Sequence, residues 1–268
     1  MNLPLKPPAK QPDASIAHPR RGLVDWLELM GRDHGVLRLW WHNLHQVADG
    51  VWRSNQPTPG RIARYAALPA TFGGLDTSKE AVASSDTPAT KSGSRKPITG
   101  GLGIRTIINL RGPRSDGGWR LEAEACARHG VVLEDFTIRS RAVPDCETIH
   151  AAAALFQRVE YPILIHCKSG ADRAGIMAAL YLLLMQGASV ETAAGQLSFR
   201  FGHVRQAKTG LLDAFLAAYS PHAANGVSLL DWAARELDPA AITSGFMARR
   251  SFRSFWADRL TDSILRRE

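Results

Sequence analysis

"PILIHCKSGADRAGIMAALYLLLM", residues 162–185, decides the fold. "PILIHC" is a short apolar run of the kind that forms a buried strand. "IMAALYLLLM", from Ile176 to Met185, reads as a buried helix. Its ten residues fall well short of the roughly 18–20 that would span a bilayer. Between them, "HCKSGADRAG" (166–175) puts Cys167 where the strand ends and Arg173 six residues later, at the mouth of the helix.

The flanking segments repeat this alternation. "IRTIINL" (104–110) and "VVLEDFTI" (131–138) read as strands, joined by a helix over "WRLEAEACARHG" (119–130) that Gly130 closes as a C-cap. "PDCETIHAAAALFQRV" (144–159) forms a helix with Ile149, Ala152, Ala153 and Phe156 on one face. Strand–helix–strand–helix–strand with short links predicts right-handed crossovers and a largely parallel sheet. "GVWRSNQP" (50–57) is a short strand ending at Pro57, and "PGRIARYAAL" (59–68) a short helix. Residues 22–48, with Trp26, Trp40 and Trp41, are expected to be helical and irregular, and further helices are expected at 189–200, 208–219 and 228–236.

These segments make one α/β domain over 22–240, after a flexible Pro-rich lead-in at 1–21 that lacks the apolar stretch of a secretion signal. A Ser-, Thr-, Gly- and Lys-rich insertion at about 71–101 has too few large apolar residues to bury and is expected to be mobile. The tail, 241–268, reads as a basic amphipathic helix with Phe252, Phe255, Trp256, Leu260 and Ile264 on one face. Such a helix either packs on its own domain or rests on an anionic membrane. The expected location is the cytoplasm, with peripheral contact at the inner face of the membrane. Lys plus Arg number 33 against 25 Asp plus Glu, so anionic partners are favoured. Signatures of nucleic-acid recognition are absent, and no such partner is expected. Three unevenly spaced cysteines make neither a disulfide framework nor a zinc pattern, and the nine histidines show no metal-ligand spacing. Cys126 and Cys146 are read as structural thiols, or as disulfide partners for Cys167.

Ligands of open α/β sheets bind beyond the carboxyl ends of the strands, where Cys167 is expected. The loop Lys168–Asp172 would turn successive backbone N–H groups inward as an anion nest. Gly170 permits the curvature, and the following helix adds the positive end of its dipole. Arg173 supplies a planar fork for two phosphate oxygens. That field stabilises a thiolate beside a cradle for a tetrahedral anion. The chemistry it suits is attack on phosphorus, a phosphocysteine intermediate and hydrolysis. No metal or other cofactor is required.

The ten residues resemble the "HCxxGxxR" signature of the cysteine-dependent protein tyrosine phosphatase superfamily. "WRSNQPTP" (52–59) and "IINLRGPRSD" (107–116) look like the "RSxQP" and "INLR" blocks of its bacterial dual-specificity branch. The resemblance covers roughly 45–70 and 100–220. It implies a phosphatase-like α/β fold: a central, mostly parallel sheet flanked by helices, with additional C-terminal helices. It also implies Cys167 as nucleophile and Arg173 as phosphate clamp. His166, Lys168, Ser169, Gly170, Ala171, Ala174 and Gly175 would complete the phosphate-binding loop. His166 either orients this loop and tunes the thiol or is simply packed. Ala174 replaces the family's usual Ser or Thr, whose hydroxyl stabilises the departing thiolate, so the resemblance implies slower hydrolysis of the intermediate.

The general acid is open. The family's usual loop aspartate falls on Arg139 or Ser140 here. Asp172 is the leading candidate, because "CKSGADR" resembles the "CxxGxDR" loops of myotubularins and of bacterial lipid phosphatases. Asp145 and Asp135 follow, Asp145 doubling as a helix N-cap. Lys168, Arg111, Arg139 and Arg141 fall near predicted strand ends, and Arg111 and Arg139 are expected to contact substrate. A phosphorylated protein is the default substrate, with tyrosine or dual specificity. The alternative is an anionic phospholipid such as a phosphoinositide or lipid A. From other classes, a rhodanese-type sulfurtransferase and a non-catalytic phosphate-binding pseudophosphatase remain. The oligomeric state is left open.

Overall fold

The computed structural model describes residues 24–26, 42–68 and 101–249. The lead-in at 1–21, nearly all of the insertion expected at 71–101, and the tail beyond Arg249 lie outside the described residues.

Five strands form one sheet: β1 (His45–Ala48), β2 (Val51–Asn55), β3 (Thr106–Asn109), β4 (Val132–Asp135) and β5 (Ile163–Cys167). Their spatial order is β1-β2-β5-β3-β4. β2, β5, β3 and β4 run parallel, and β1 pairs antiparallel with β2. The mostly parallel α/β sheet read from the sequence is therefore present.

β1 corrects the expectation of helix and irregular chain up to residue 48. "HQVA" is too short and mixed to show a period. It becomes a strand because the Asp49–Gly50 turn, with Gly50 at φ +66°, folds it back onto β2.

β5 lies at the centre of the sheet with all five residues buried, and β3 beside it is equally buried. Parallel strands covered on both faces read as continuous apolar runs. Side-chain alternation then divides the core. Leu164 and Ile107 pack with Ile62 and Tyr65 of α1 (Pro59–Ala66) and with Ala125 and Cys126 of α2 (Gly117–Arg128). Ile163, Ile165 and Ile108 face the opposite way. They pack on α3 (Cys146–Arg158), α4 (Asp172–Met185), α6 (Leu211–Ala224) and α7 (Leu229–Arg235).

α4 starts at Asp172, one turn before the apolar run at Ile176, so the loop passes directly into the helix. The helix expected over 189–200 is α5 (Val190–Ala194) followed by a 3-10 turn at Phe199–Phe201. Its residues Leu197 and Phe201 are buried beside the loop after β5. α8 (Pro239–Ala248) bridges the boundary expected at 240/241, with Ile242 and Phe246 against the main core. No helix among the described residues is long and apolar enough to cross a membrane.

Candidate active site

The strand order puts the end of β5 between the ends of β2 and β3. Asn55 pairs with Cys167, and Asn109 with His166. Because neighbouring residues of a strand point to opposite faces, Cys167 and His166 enter two different polar environments.

On the α4 face, Cys167 is buried and its Sγ accepts the Gly170 N–H at 3.2 Å. Gly170 sits at φ +75°, and a Cβ there would come within 2.7 Å of Ser54 and Asn55 backbone atoms, so only glycine fits. Three successive loop carbonyls are held from behind. Asn43 Nδ2 donates to Ser169 O at 3.0 Å. Arg53 Nη2 donates to Gly170 O at 2.7 Å and to Ala171 O at 2.9 Å. In a planar trans peptide the N–H points opposite to the preceding C=O. The N–H groups of Gly170, Ala171 and Asp172 are thus turned away from Asn43 and Arg53; that of Gly170 donates to the thiol, and that of Ala171 to Ser169 Oγ at 3.4 Å. The cap position of α4 is Ala171, which has no capping side chain, so the helix's first amides retain their pull on an anion.

The sequence reading assigned no role to Arg53 or Asn43. Arg53 is wholly buried, and its Nη1 also donates to Gln196 O at 2.6 Å and Gln196 Oε1 at 3.0 Å. Its guanidinium carbon lies 4.2 Å from the centre of the Phe201 ring, a cation–π stack. Burial pushes its pKa down to about 10, against the opposing pull of Cys167 and Asp172, which leaves it charged at neutral pH. Asn43 also donates to Phe201 O at 2.9 Å. Gly175 is the contact point for this clamp: a Cβ there would meet Leu197 Cδ2 at 2.8 Å and Gln196 O at 2.9 Å. The signal for Arg53 was available, since an arginine at an inward position of a buried strand needs partners.

Asp172 is buried, with Oδ1 2.7 Å from His203 Nδ1. His203 is buried as well, and its Nε2 lies 2.7 Å from Asp213 Oδ2. Arg205 Nε donates to the other oxygen of Asp213 at 2.9 Å. Burial alone would lower the His203 pKa, but the hydrogen bonds to Asp172 and Asp213 and their charges outweigh it and raise it. Neither His203 nor Asp213 was singled out from the sequence. They follow the loop after β5 by 30–40 residues in an irregular segment and a helix start with no motif to mark them.

On the α2 face, His166 is wholly buried, with Nε2 2.7 Å from Glu122 Oε1 but not aligned as a hydrogen bond. Gln56 Nε2 donates to Glu122 Oε2 at 2.9 Å, and Arg111 donates to Gln56 Oε1. Arg111 is buried in this network, whereas Arg139 is exposed on the loop after β4. Lys168, Ser169, Arg141 and Arg173 are half-buried, and Ala171 and Ala174 are buried.

The other acid candidates differ in setting. Asp145 caps α3 by accepting the Thr148 N–H at 2.8 Å, and hydrogen bonds from Thr148 lower its pKa. Asp135, at the end of β4, accepts from Asn109 Nδ2 at 2.7 Å and Trp119 Nε1 at 3.2 Å. Burial raises its pKa despite those bonds. The three cysteines are free. Cys126 packs on the α2 face, away from Cys167, and burial pushes its thiol up. No cluster of three or more His, Cys, Asp or Glu suited to a metal ion occurs among the described residues.

The family model for the DSP-PTPase phosphatase domain of Swiss Army Knife proteins matches residues 77–210, half of the chain. The chain belongs to that phosphatase family. Among solved structures it is similar to TpbA of P. aeruginosa, at 16% identity and TM-score 0.45, over 77% of this chain and 91% of that one. A second TpbA structure, in complex with pTyr, gives 16% identity and TM-score 0.44 over the same shares. PTPMT1 gives 15% identity and TM-score 0.39, over 68% of this chain and 99% of that one. No curated protein matches the chain.

Two expectations follow from the clamp and the histidine. Arg53→Met strands the carbonyls of Gly170 and Ala171, so it should lower the unfolding free energy in urea by about 1–3 kcal/mol for each carbonyl left without a donor. It should also weaken vanadate binding. Since the folded pKa of His203 lies above its unfolded value of about 6.5, protonation favours the native state. That stabilisation is fully present below the unfolded value and is lost as pH rises through the folded one. Urea midpoints should therefore fall from pH 6 to pH 8.5, and the fall should be smaller in His203→Asn.

Proposed function

We propose that the chain hydrolyses phosphate monoesters through a phosphocysteine formed on Cys167, with the tyrosine or dual specificity of its family and a phosphorylated protein as substrate. The observation that carries this is the thiol seated in its loop. Sγ accepts the Gly170 N–H while the loop carbonyls are drawn back to Asn43 and Arg53. In this reading the loop amides and Arg173 receive a tetrahedral anion beside the sulfur.

In this reading Sγ attacks phosphorus, and the bond from phosphorus to the leaving oxygen breaks. Arg173 holds two of the non-bridging oxygens. Asp172 gives its proton to the leaving oxygen. Water then attacks the phosphocysteine, returns a proton to Asp172, and sulfur departs as thiolate. Ala174 offers no hydroxyl to that thiolate, so breakdown of the intermediate is the slower half. His166, Lys168, Ser169, Gly170, Ala171 and Gly175 build the loop. No metal or cofactor enters these steps.

Asp172 is kept as the acid because it lies next to Arg173 on the loop itself. Asp145 spends its carboxylate on capping α3 and has a lowered pKa, which suits an acid poorly. Asp135 holds a proton more readily and stands second. Arg111 is committed to Gln56, which leaves fewer cations for a polyphosphorylated lipid headgroup and favours the protein substrate. Arg139, exposed beyond β4, is proposed as a rim contact.

The test is steady-state and rapid-quench kinetics with an aryl phosphate, a phosphotyrosine peptide, a phosphoserine peptide and a phosphoinositide. Cys167→Ser should abolish turnover on all four while retaining vanadate binding. Asp172→Asn should lose at least about tenfold more on phosphoserine than on the aryl phosphate, whose leaving group needs no proton. Turnover by Cys167→Ser, or a larger differential loss in Asp135→Asn than in Asp172→Asn, would overturn the assignment. Preference for the phosphoinositide would overturn the substrate.

A further inference from the structure

Asp172 presents a difficulty as an acid: it is buried, and its Oδ1 already faces a ring nitrogen at 2.7 Å. Proton counting resolves it. A nitrogen and an oxygen 2.7 Å apart in such a contact share a hydrogen. An ionised carboxylate only accepts, and a neutral imidazole carries a single N–H. His203 makes two such contacts, to Asp172 through Nδ1 and to Asp213 through Nε2. A neutral ring between two carboxylates would leave one contact with lone pairs facing each other. The three groups therefore hold two protons.

Where those protons sit follows from the neighbours. Asp213 accepts the Arg205 Nε–H on its second oxygen at 2.9 Å, a charge-assisted bond that suits it as an acceptor toward His203 as well. The Nε2 proton thus stays on the ring. The other proton lies between His203 Nδ1 and Asp172 Oδ1, either on nitrogen as an imidazolium or on oxygen as a carboxylic acid. The charged groups facing this trio are Asp172 from α4, Asp213 from α6, Arg205 beyond Asp213, and Arg53 in the field of Asp172.

We propose that His203 is a positioning residue that orients Asp172 and holds the proton Asp172 delivers to the leaving group. The inference rests on the reading of Asp172 as the general acid. In the first step the Nδ1–H bond breaks, an O–H bond forms on Asp172, and that proton passes to the leaving oxygen. The ring ends neutral, with its remaining proton on Nε2 toward Asp213. In the second step the attacking water loses its proton to Asp172, which returns it to Nδ1, and the imidazolium is restored. The hydrogen bonds and charges of Asp172 and Asp213 raise the His203 pKa, which favours the protonated ring.

The variant that separates proton supply from hydrogen bonding is His203→Asn. Its amide N–H can occupy the place of Nδ1 and hold Asp172, but it has no proton to give. On phosphoserine, wild-type kcat should fall as pH rises through the His203 pKa. Asp213→Asn removes one of the two carboxylates that raise this pKa, so it should move the falling limb to lower pH. His203→Asn should erase the limb and lose at least about tenfold more on phosphoserine than on the aryl phosphate. A limb at the wild-type position in both variants would overturn the proposal, as would equal loss on both substrates. If His203→Asn does not fold, by circular dichroism, the limb position in Asp213→Asn decides. Wild-type protein is first exposed to a 32P-labelled aryl phosphate. Absence of label on Cys167 would sink the phosphocysteine reading, whereas labelled Cys167 with an unmoved limb sinks only the part given to His203.

Discussion

The site depends on one buried cation. Arg53 comes from β2, the strand beside β5, and its guanidinium bonds to Gly170, Ala171 and Gln196 with the Phe201 ring against it. An unpaired charge at that depth would be strongly unfavourable. The loop carbonyls and the segment 196–201 are what compensate it. In return they are drawn backward, and the paired N–H groups are turned to the opposite side, that of Gly170 onto the thiol. The set of the loop after β5 is thus a consequence of satisfying a buried arginine. It also couples three separate parts of the chain: β2, the loop after β5 and the segment beyond α5.

β5 separates two polar systems. Cys167 shares its face with Arg53, Asp172, His203 and Asp213, which carry the charge and, in our reading, the protons. His166 shares the other face with Glu122, Gln56 and Arg111, a buried network that ties β5 to α2 and to the turn after β3. The division is a consequence of strand geometry, since consecutive residues cannot point to the same side. It also keeps the Cys126 thiol on the far side of the sheet from Cys167.

Much of the architecture was legible in local pattern. The runs at 104–110 and 162–167 are apolar enough to be buried on both faces and became β3 and β5, while 131–138 supplied the half-buried edge strand β4. The loop after β5 carried its own chemistry in ten residues. β1 was not legible, because four mixed residues gain strand character only from β2 alongside them. The first turn of α4 was missed because "DRAG" is polar; it is helical because the apolar turns beyond it are anchored in the core. The cap role of Asp145 was anticipated, since capping is a local interaction between a side chain and a backbone N–H three residues on.

The sequence by itself determined the sheet's parallel sense, the place of Cys167 at a strand end and the glycine its loop requires, because each depends on residues close together in the chain. Tertiary structure alone decided which side chains stand behind that loop. Arg53 and Asn43 lie more than a hundred residues before it. His203 and Asp213 lie 31 and 41 residues after Asp172. Hydrogen bonds and buried charges are satisfied through space, so a one-dimensional pattern names the groups that need partners without saying which partners the fold supplies.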